Sequence, residues 1–156
     1  MPETSNGRHA VSAFMLAQEE RPRPLNVVGE HITVLADAAR TGCLELFHQQ
    51  GDAGKGPPPH KHGWDETFYI IAGEVEISAG GETRRLGPGS VAHVPAGVMH
   101  WFRFITKGEM ISMSSRGGAA NLFTDFDREI PPGPPDVGKL VAIAARHGAT
   151  IAPPPG

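Results

Sequence analysis

Four residues constrain this 156-residue chain most: His60, His62, Glu66 and His100. Three imidazoles and one carboxylate make a metal shell if the backbone brings them together. His60 and His62 are two apart, so on an extended strand both side chains point to one face. Gly63-Trp64-Asp65 suits a tight turn into the strand that begins at Glu66, and His100 arrives on a later strand. A β-barrel joins such distant strands round one interior.

The surrounding chain agrees. With 20 glycines and 15 prolines, it is punctuated into short segments rather than long helices. Short apolar runs at Leu25–Val28, His31–Leu35, Cys43–Gln49, Glu66–Ile71, Glu74–Ser78, Thr83–Leu86, Ser90–Val94, His100–Ile105 and Glu109–Ser114 predict strands, separated by turns such as Gly80-Gly81 and Gly87-Pro88-Gly89. In Cys43–Gln49, Leu44, Leu46 and His48 share one face, and Glu45 and Phe47 the other. Past Gly117-Gly118 the period changes. Leu122, Phe123, Phe126 and Ile130 predict one helix, and Val137, Leu140, Val141 and Ala144 a second, begun by Asp136 and ended by Gly148. The expected organisation is a flexible N-terminal arm over 1–20, with a weak helical turn at Ala10–Leu16, a barrel over 21–116, and a helical extension with a Pro-rich tail over 117–156.

Two spaced motifs carry a family resemblance. Gly54, His60, His62, Glu66 and Gly73 fit G-x5-H-x-H-x3-E-x6-G, and Gly89, Pro95, Gly97 and His100 fit G-x5-P-x-G-x2-H. The chain resembles the cupins, in particular the single-domain quercetin dioxygenase-like members. Phe104 stands where the family pattern has asparagine, which implies a more apolar interior at that level. The resemblance implies an all-β double-stranded β-helix, or jelly-roll barrel, with the two C-terminal helices packed outside. It also implies one divalent transition metal ion on His60, His62, Glu66 and His100. Nitrogen and oxygen donors suit iron, manganese, nickel, cobalt, copper or zinc.

The implied activity is a metal-dependent dioxygenase acting on a flavonol-like or other enolisable aromatic molecule, with Glu66 as both ligand and general base. An isomerase, lyase or cyclase without oxygen chemistry, and a non-enzymatic small-molecule-binding cupin, remain as alternatives. Strand parity places Phe68 and Ile70 with Glu66, and Phe102 and Phe104 with His100. They would line an aromatic pocket, although a filled barrel core gives the same pattern. Trp64 would rim its mouth or pack on a neighbouring subunit. Asp65 is expected to hydrogen-bond the turn, and His93 to be structural or at the pocket rim. His9, His31 and His48 are read as surface or strand residues, and Cys43 as small and buried.

A net charge of −3 without a basic run argues against nucleic acid as a partner. The single cysteine fits a reducing compartment, and no stretch has transmembrane length, so a cytoplasmic protein without membrane contact is expected. Apolar strands near the N-terminus leave sheet edges that need cover, and similar cupins pair through them, so a homodimer is expected.

Overall fold

The computed structural model describes residues 11–115 and 117–152. The strands are β1 (Leu25–Val27), β2 (Glu30–Ala36), β3 (Leu44–Gly51), β4 (His60–Lys61), β5 (Glu66–Ala72), β6 (Val75–Ala79), β7 (Glu82–Leu86), β8 (Val91–Val94), β9 (His100–Phe104), β10 (Gly108–Ser115) and β11 (Thr150–Ile151). The helices are α1 (Ala38–Thr41), α2 (Ala119–Glu129) and α3 (Val137–Arg146). Two antiparallel sheets face each other. One has the order β1-β2-β3-β10-β5-β8, the other β11-β4-β9-β6-β7. Among the described residues no helix is long and apolar enough to cross a membrane.

Period-2 alternation decides which side chains enter the interior. On β5, Glu66, Phe68 and Ile70 are buried; on β9, His100, Phe102 and Phe104; on β10, Met110, Ser112 and Ser114. On β3 the inward face is Glu45, Phe47 and Gln49, so Leu44, Leu46 and His48 look outward.

The interior has two apolar halves. Phe68, Ile70, Val75, Ile77, Val94, Phe102, Phe104 and Met110 fill one end of the barrel. The other half joins Val27, Ile32, Phe47 and Trp64 to Leu122, Phe126 and Ile130 of the α2 segment and to Leu140, Ile143 and Ala144 of α3. The helices therefore close the barrel's second end rather than lying only against its outside. The buried face of α3 is Leu140, Ile143 and Ala144, while Val137 and Val141 are exposed. This corrects the sequence-based helical face: the 3.6-residue period allowed both, and contact with the barrel selects the one carrying Ile143.

Several local features differ from expectation. Ala38–Thr41, between the second and third predicted strands, is a helical turn whose N-cap Asp37 accepts from the Arg40 N–H. Residues 11–17 form no helix and are followed by a 3-10 turn at Gln18–Glu20, and Phe14 lies under the Arg40 guanidinium, 3.8 Å from it. Cys43 is exposed, because it sits in the turn between Gly42 and β3. The strand β11 was not foreseen; it pairs with β4, Ile151 opposite His60. A single apolar position ahead of a proline run gives too little pattern to read. His9 and the Pro153–Pro155 tail lie outside the described residues.

Phe104 explains a pair of glycines. Gly51 on β3 and Gly108 on β10 are directly opposed in the ladder. A Cβ on Gly51 would overlap the Phe104 ring, and one on Gly108 would stand 2.9 Å from it. The two glycines form a seat for the ring, which is fully buried. Gly51→Ala is therefore expected to cost roughly 1–3 kcal/mol by overpacking. In denaturant unfolding, Gly51→Ala combined with Phe104→Leu should destabilise by less than the sum of the two single changes, since they share one contact.

Candidate metal centre and cavity

The site lies where the two sheets meet. His60 opens β4 and pairs in register with His100 on β9, and His62 follows β4. Lys61 between them is exposed, as two-residue alternation requires. Glu66 comes from the opposite sheet at the start of β5. The turn between them is locked to the loop before His100. Ala96 N–H donates to the Asp65 carboxylate at 2.8 Å, and Gly97 N–H donates to the His62 carbonyl at 2.8 Å. Asp65 thus has the turn role expected of it.

One ligand atom from each of His60, His62, Glu66 and His100 lies within 4.8 Å of the others. Each imidazole Nδ1 meets a backbone carbonyl two residues away: His60 with Pro58 at 2.9 Å, His62 with Trp64 at 3.0 Å and His100 with Val98 at 2.9 Å. A carbonyl only accepts, so each Nδ1 carries a proton, and in the neutral ring Nε2 presents its lone pair. Yet Nε2 of His62 and of His100 lie 3.1 and 3.2 Å from the same Glu66 Oε2. Lone pairs facing a carboxylate need a cation between them, either an added proton or a metal ion. This donor set fits a divalent transition metal.

The electrostatics agree. Burial and the neighbouring His100 push His60 down to about 4, which keeps its ring neutral. Burial alone would raise Glu66, but donation from His100 and His62, which requires the added proton on Nε2, outweighs it and lowers the carboxyl to about 2.

Beside the cluster is a cavity of about 110 Å³. Its walls include His60, His62, Glu66 and Trp64, Val27 and Ile32 of the first strands, Leu122 and Phe126 of α2, and Leu140 and Ala144 of α3. Trp64 is not a rim residue. It is buried and stacked on His62, with ring centroids 4.3 Å apart and planes 7° from parallel. Phe102 also lines the cavity, but Phe68, Ile70 and Phe104 do not. Those three belong to the filled end, where Phe102 stands edge-on between Phe68 and Phe104. Parity put them in the interior but could not say at which depth. His93 is exposed and hydrogen-bonded to Thr67, away from the cluster, and His48 pairs with Glu109. The walls from α2 and α3 were visible as amphipathic faces. What no local pattern revealed was that they cap the site.

Sequence reading also missed two cavity residues, Glu30 and Gln49. An apolar-flanked glutamate beside a glycine resembles an ordinary turn residue. Burial, helped by the charge of Glu66, raises the Glu30 carboxyl to about 8.

The cupin-domain profile matches residues 47–114. An uncharacterized protein of Streptomyces coelicolor is 39% identical over 97 residues, covering 62% of this chain and 88% of that protein. The chain belongs to the cupin family. Quercetin 2,3-dioxygenase of Bacillus subtilis is 30% identical over 91 residues, 58% of this cupin but 27% of the enzyme, so the match spans only part of it. In structure, the cupin resembles an RmlC-like cupin from Shewanella frigidimarina, with a TM-score of 0.62 and 21% identity over 70% of this chain and 96% of that one.

The shifts set a pH dependence for the metal-free protein. Glu30 has a raised folded pKa, so its contribution is intact below about 4.5 and lost as pH rises through about 8. His60 has a lowered one, so its contribution is intact above about 6.5 and lost as pH falls through about 4. Between about 4.5 and 6.5 the two slopes oppose, and above that only Glu30 acts. Denaturant midpoints should fall between pH 6.5 and 8.5, by on the order of 2 kcal/mol. Glu30→Gln should flatten that slope; an unchanged slope would place the titration elsewhere.

Proposed function

We propose that this cupin is a metal-dependent oxidoreductase of the dioxygenase type, acting on a small enolisable hydroxy compound. The observation that carries the reading is the convergence of three Nε2 lone pairs and one ionised carboxylate, with every Nδ1 proton already committed to a carbonyl. His60, His62, His100 and Glu66 would hold the ion. It would supply Lewis acidity and, if redox-active, electron exchange with oxygen. Four protein ligands would leave room for further ligands in five- or six-coordinate geometry. The partial match to quercetin 2,3-dioxygenase supports the oxidative reading.

The chain's own residues would do the rest. The apolar walls exclude water, and Trp64 fixes the plane of His62. Glu66 would be both ligand and base, one carboxylate oxygen being free to take the substrate hydroxyl proton. The cavity limits the substrate. A space of about 150 Å³ holds a benzene ring, and this one is about 110 Å³. That favours one ring or a comparable hydroxy-carbonyl over a three-ring flavonol.

Elemental analysis of purified variants tests the ligands: His62→Ala should lose bound metal, while His93→Ala should retain it. Equal contents would remove the assignment. Glu66→Gln, loaded with the same metals, should slow turnover by roughly 10²–10⁴-fold. Turnover that persists without oxygen would move the reading to isomerase, lyase or cyclase chemistry. Binding without turnover would make it a ligand-binding cupin.

A homodimer remains part of the proposal, through a different surface from the N-terminal edge. The edge strand β1 is already covered: the Asn26 N–H donates to the Asp127 carboxylate of α2 at 2.8 Å, and Arg23 pairs with the same group. The outer face of the six-stranded sheet instead carries Ile111, Tyr69 and Val91 side by side in register, with Met113 and Ile71 adjacent. Tyr69, Ile71, Val91 and Met113 are exposed there. Such a patch favours association. Tyr69→Asp should shift the protein towards monomer in sedimentation at micromolar concentration; a wild-type monomer would end the dimer proposal.

A further inference from the structure

Glu30 and Gln49 stand out in the cavity wall. Both are almost fully buried, at 5% and 2% exposure. Glu30 opens β2, and Gln49 sits on β3 opposite Ile32, two residues further along the same β2 strand, so both project from one inner face. The Oε1 of each has no hydrogen-bond partner among the described residues. An unpaired buried polar group of this kind is destabilising, and here two line one apolar cavity beside Glu66. Ser112 and Ser114 also lack partners, but they do not line the cavity.

We propose that Glu30 and Gln49 are the recognition residues of the cavity, and that they select a neutral hydroxylated molecule of one ring or smaller. This rests on the reading of the cavity as a substrate site and names the substrate class. An orphaned acceptor is satisfied by a donor, and a hydroxyl supplies one while accepting in return. A carboxylate or phosphate would supply none. Nor would an anionic substituent find a cationic side chain, because among the described residues no lysine or arginine lines the cavity. The Glu66 carboxylate would oppose it, and the Gln49 oxygen would find no donor in it. A hydrocarbon would fill the apolar wall and leave both acceptors unpaired. The pocket thus discriminates in two directions, against charge and against the absence of hydroxyls. The raised pKa of Glu30 is consistent with this, since a protonated carboxyl both donates and accepts.

The experiment uses the full chain, metal-free and metal-loaded, with resorcinol, toluene and benzoate as probes. Binding is read by tryptophan fluorescence, because Trp64 forms part of the wall. Wild type should bind resorcinol at least tenfold more tightly than toluene or benzoate in both forms. Glu30→Met and Gln49→Met should each weaken resorcinol roughly tenfold and leave toluene unchanged. Both should unfold at the same or higher denaturant concentration than wild type, because each removes an unpaired polar group. Glu30→Gln, which restores a donor and an acceptor, should keep resorcinol affinity within about threefold.

Unchanged resorcinol affinity in the Met variants would overturn the proposal, as would no saturable resorcinol binding to wild type. Parallel loss of stability and of toluene binding would also overturn it, since that is the signature of a merely structural role. The metal-free arm separates this from the proposed reaction. Selectivity that depends on Glu30 and Gln49 in a protein that never turns over would remove the enzyme reading and keep the recognition pair.

Discussion

Three backbone carbonyls hold the site in its working state. By accepting the Nδ1 protons of His60, His62 and His100, they fix ring orientation and tautomer together and turn three Nε2 lone pairs inward. Second-partner hydrogen bonds of this sort orient metal-binding histidines generally. Here every partner is main chain and lies two residues from its histidine. The site therefore depends on backbone conformation more than on other side chains. That conformation is secured by the two bonds from Ala96 and Gly97, which tie the loop before His100 to the turn after His62. The proline run over 57–59 leads into β4, which pairs with β11, Ile151 opposite His60.

The division of the interior follows from side-chain volume. Toward one end, Phe68, Phe102 and Phe104 interlock with Ile70, Val94 and Met110 and leave no room for a ligand. Paired glycines on β3 and β10 make that density possible, because only strands without Cβ atoms can approach the Phe104 ring so closely. At the other end the barrel walls alone do not close, and α2 and α3 supply the missing apolar surface. Their ends are joined on the outside by Asp125, which meets Arg128, Arg146 and His147. Exposed pairs of this type add little stability; the apolar faces beneath them do most of the holding.

The strands, the hairpin turns and the four clustered residues were legible because each rests on local pattern: period-2 alternation, Gly and Pro punctuation, and motif spacing. Parity placed Phe68, Ile70 and Phe104 in the interior correctly. It gives no information on depth, which depends on how both sheets stack, so a lined pocket and a filled core both remained open, and for these three residues the filled core holds. Of the face read for α3, Val137, Leu140, Val141 and Ala144, only Leu140 and Ala144 are buried, and Ile143 completes the buried face because contact with the barrel, not period, selects it. Glu30 and Gln49 were invisible for a different reason. Polar residues on strands are normally read as solvent-facing, and only the tertiary cover provided by the helices buries them.

The two buried carboxyls of the cavity show why that cover matters. Glu66 and Glu30 are the same residue type on the same sheet, yet their environments push them apart, to about 2 and about 8. Glu66 is surrounded by imidazoles, which favour its charged form; Glu30 is surrounded by apolar side chains and by the charge of Glu66, which oppose its own. With three imidazoles coordinating through Nε2 as neutral ligands, Glu66 alone would bring a negative charge to a bound metal ion. A divalent ion held there would leave about one positive charge in an apolar space, where uncompensated charge is costly. One singly deprotonated hydroxyl would balance it. A second ionised carboxyl would remove that demand, so the neutrality of Glu30 preserves it. The charge of a bound divalent ion and the unpaired acceptors of the wall would thus favour the same ligand, a neutral hydroxylated molecule able to lose one proton.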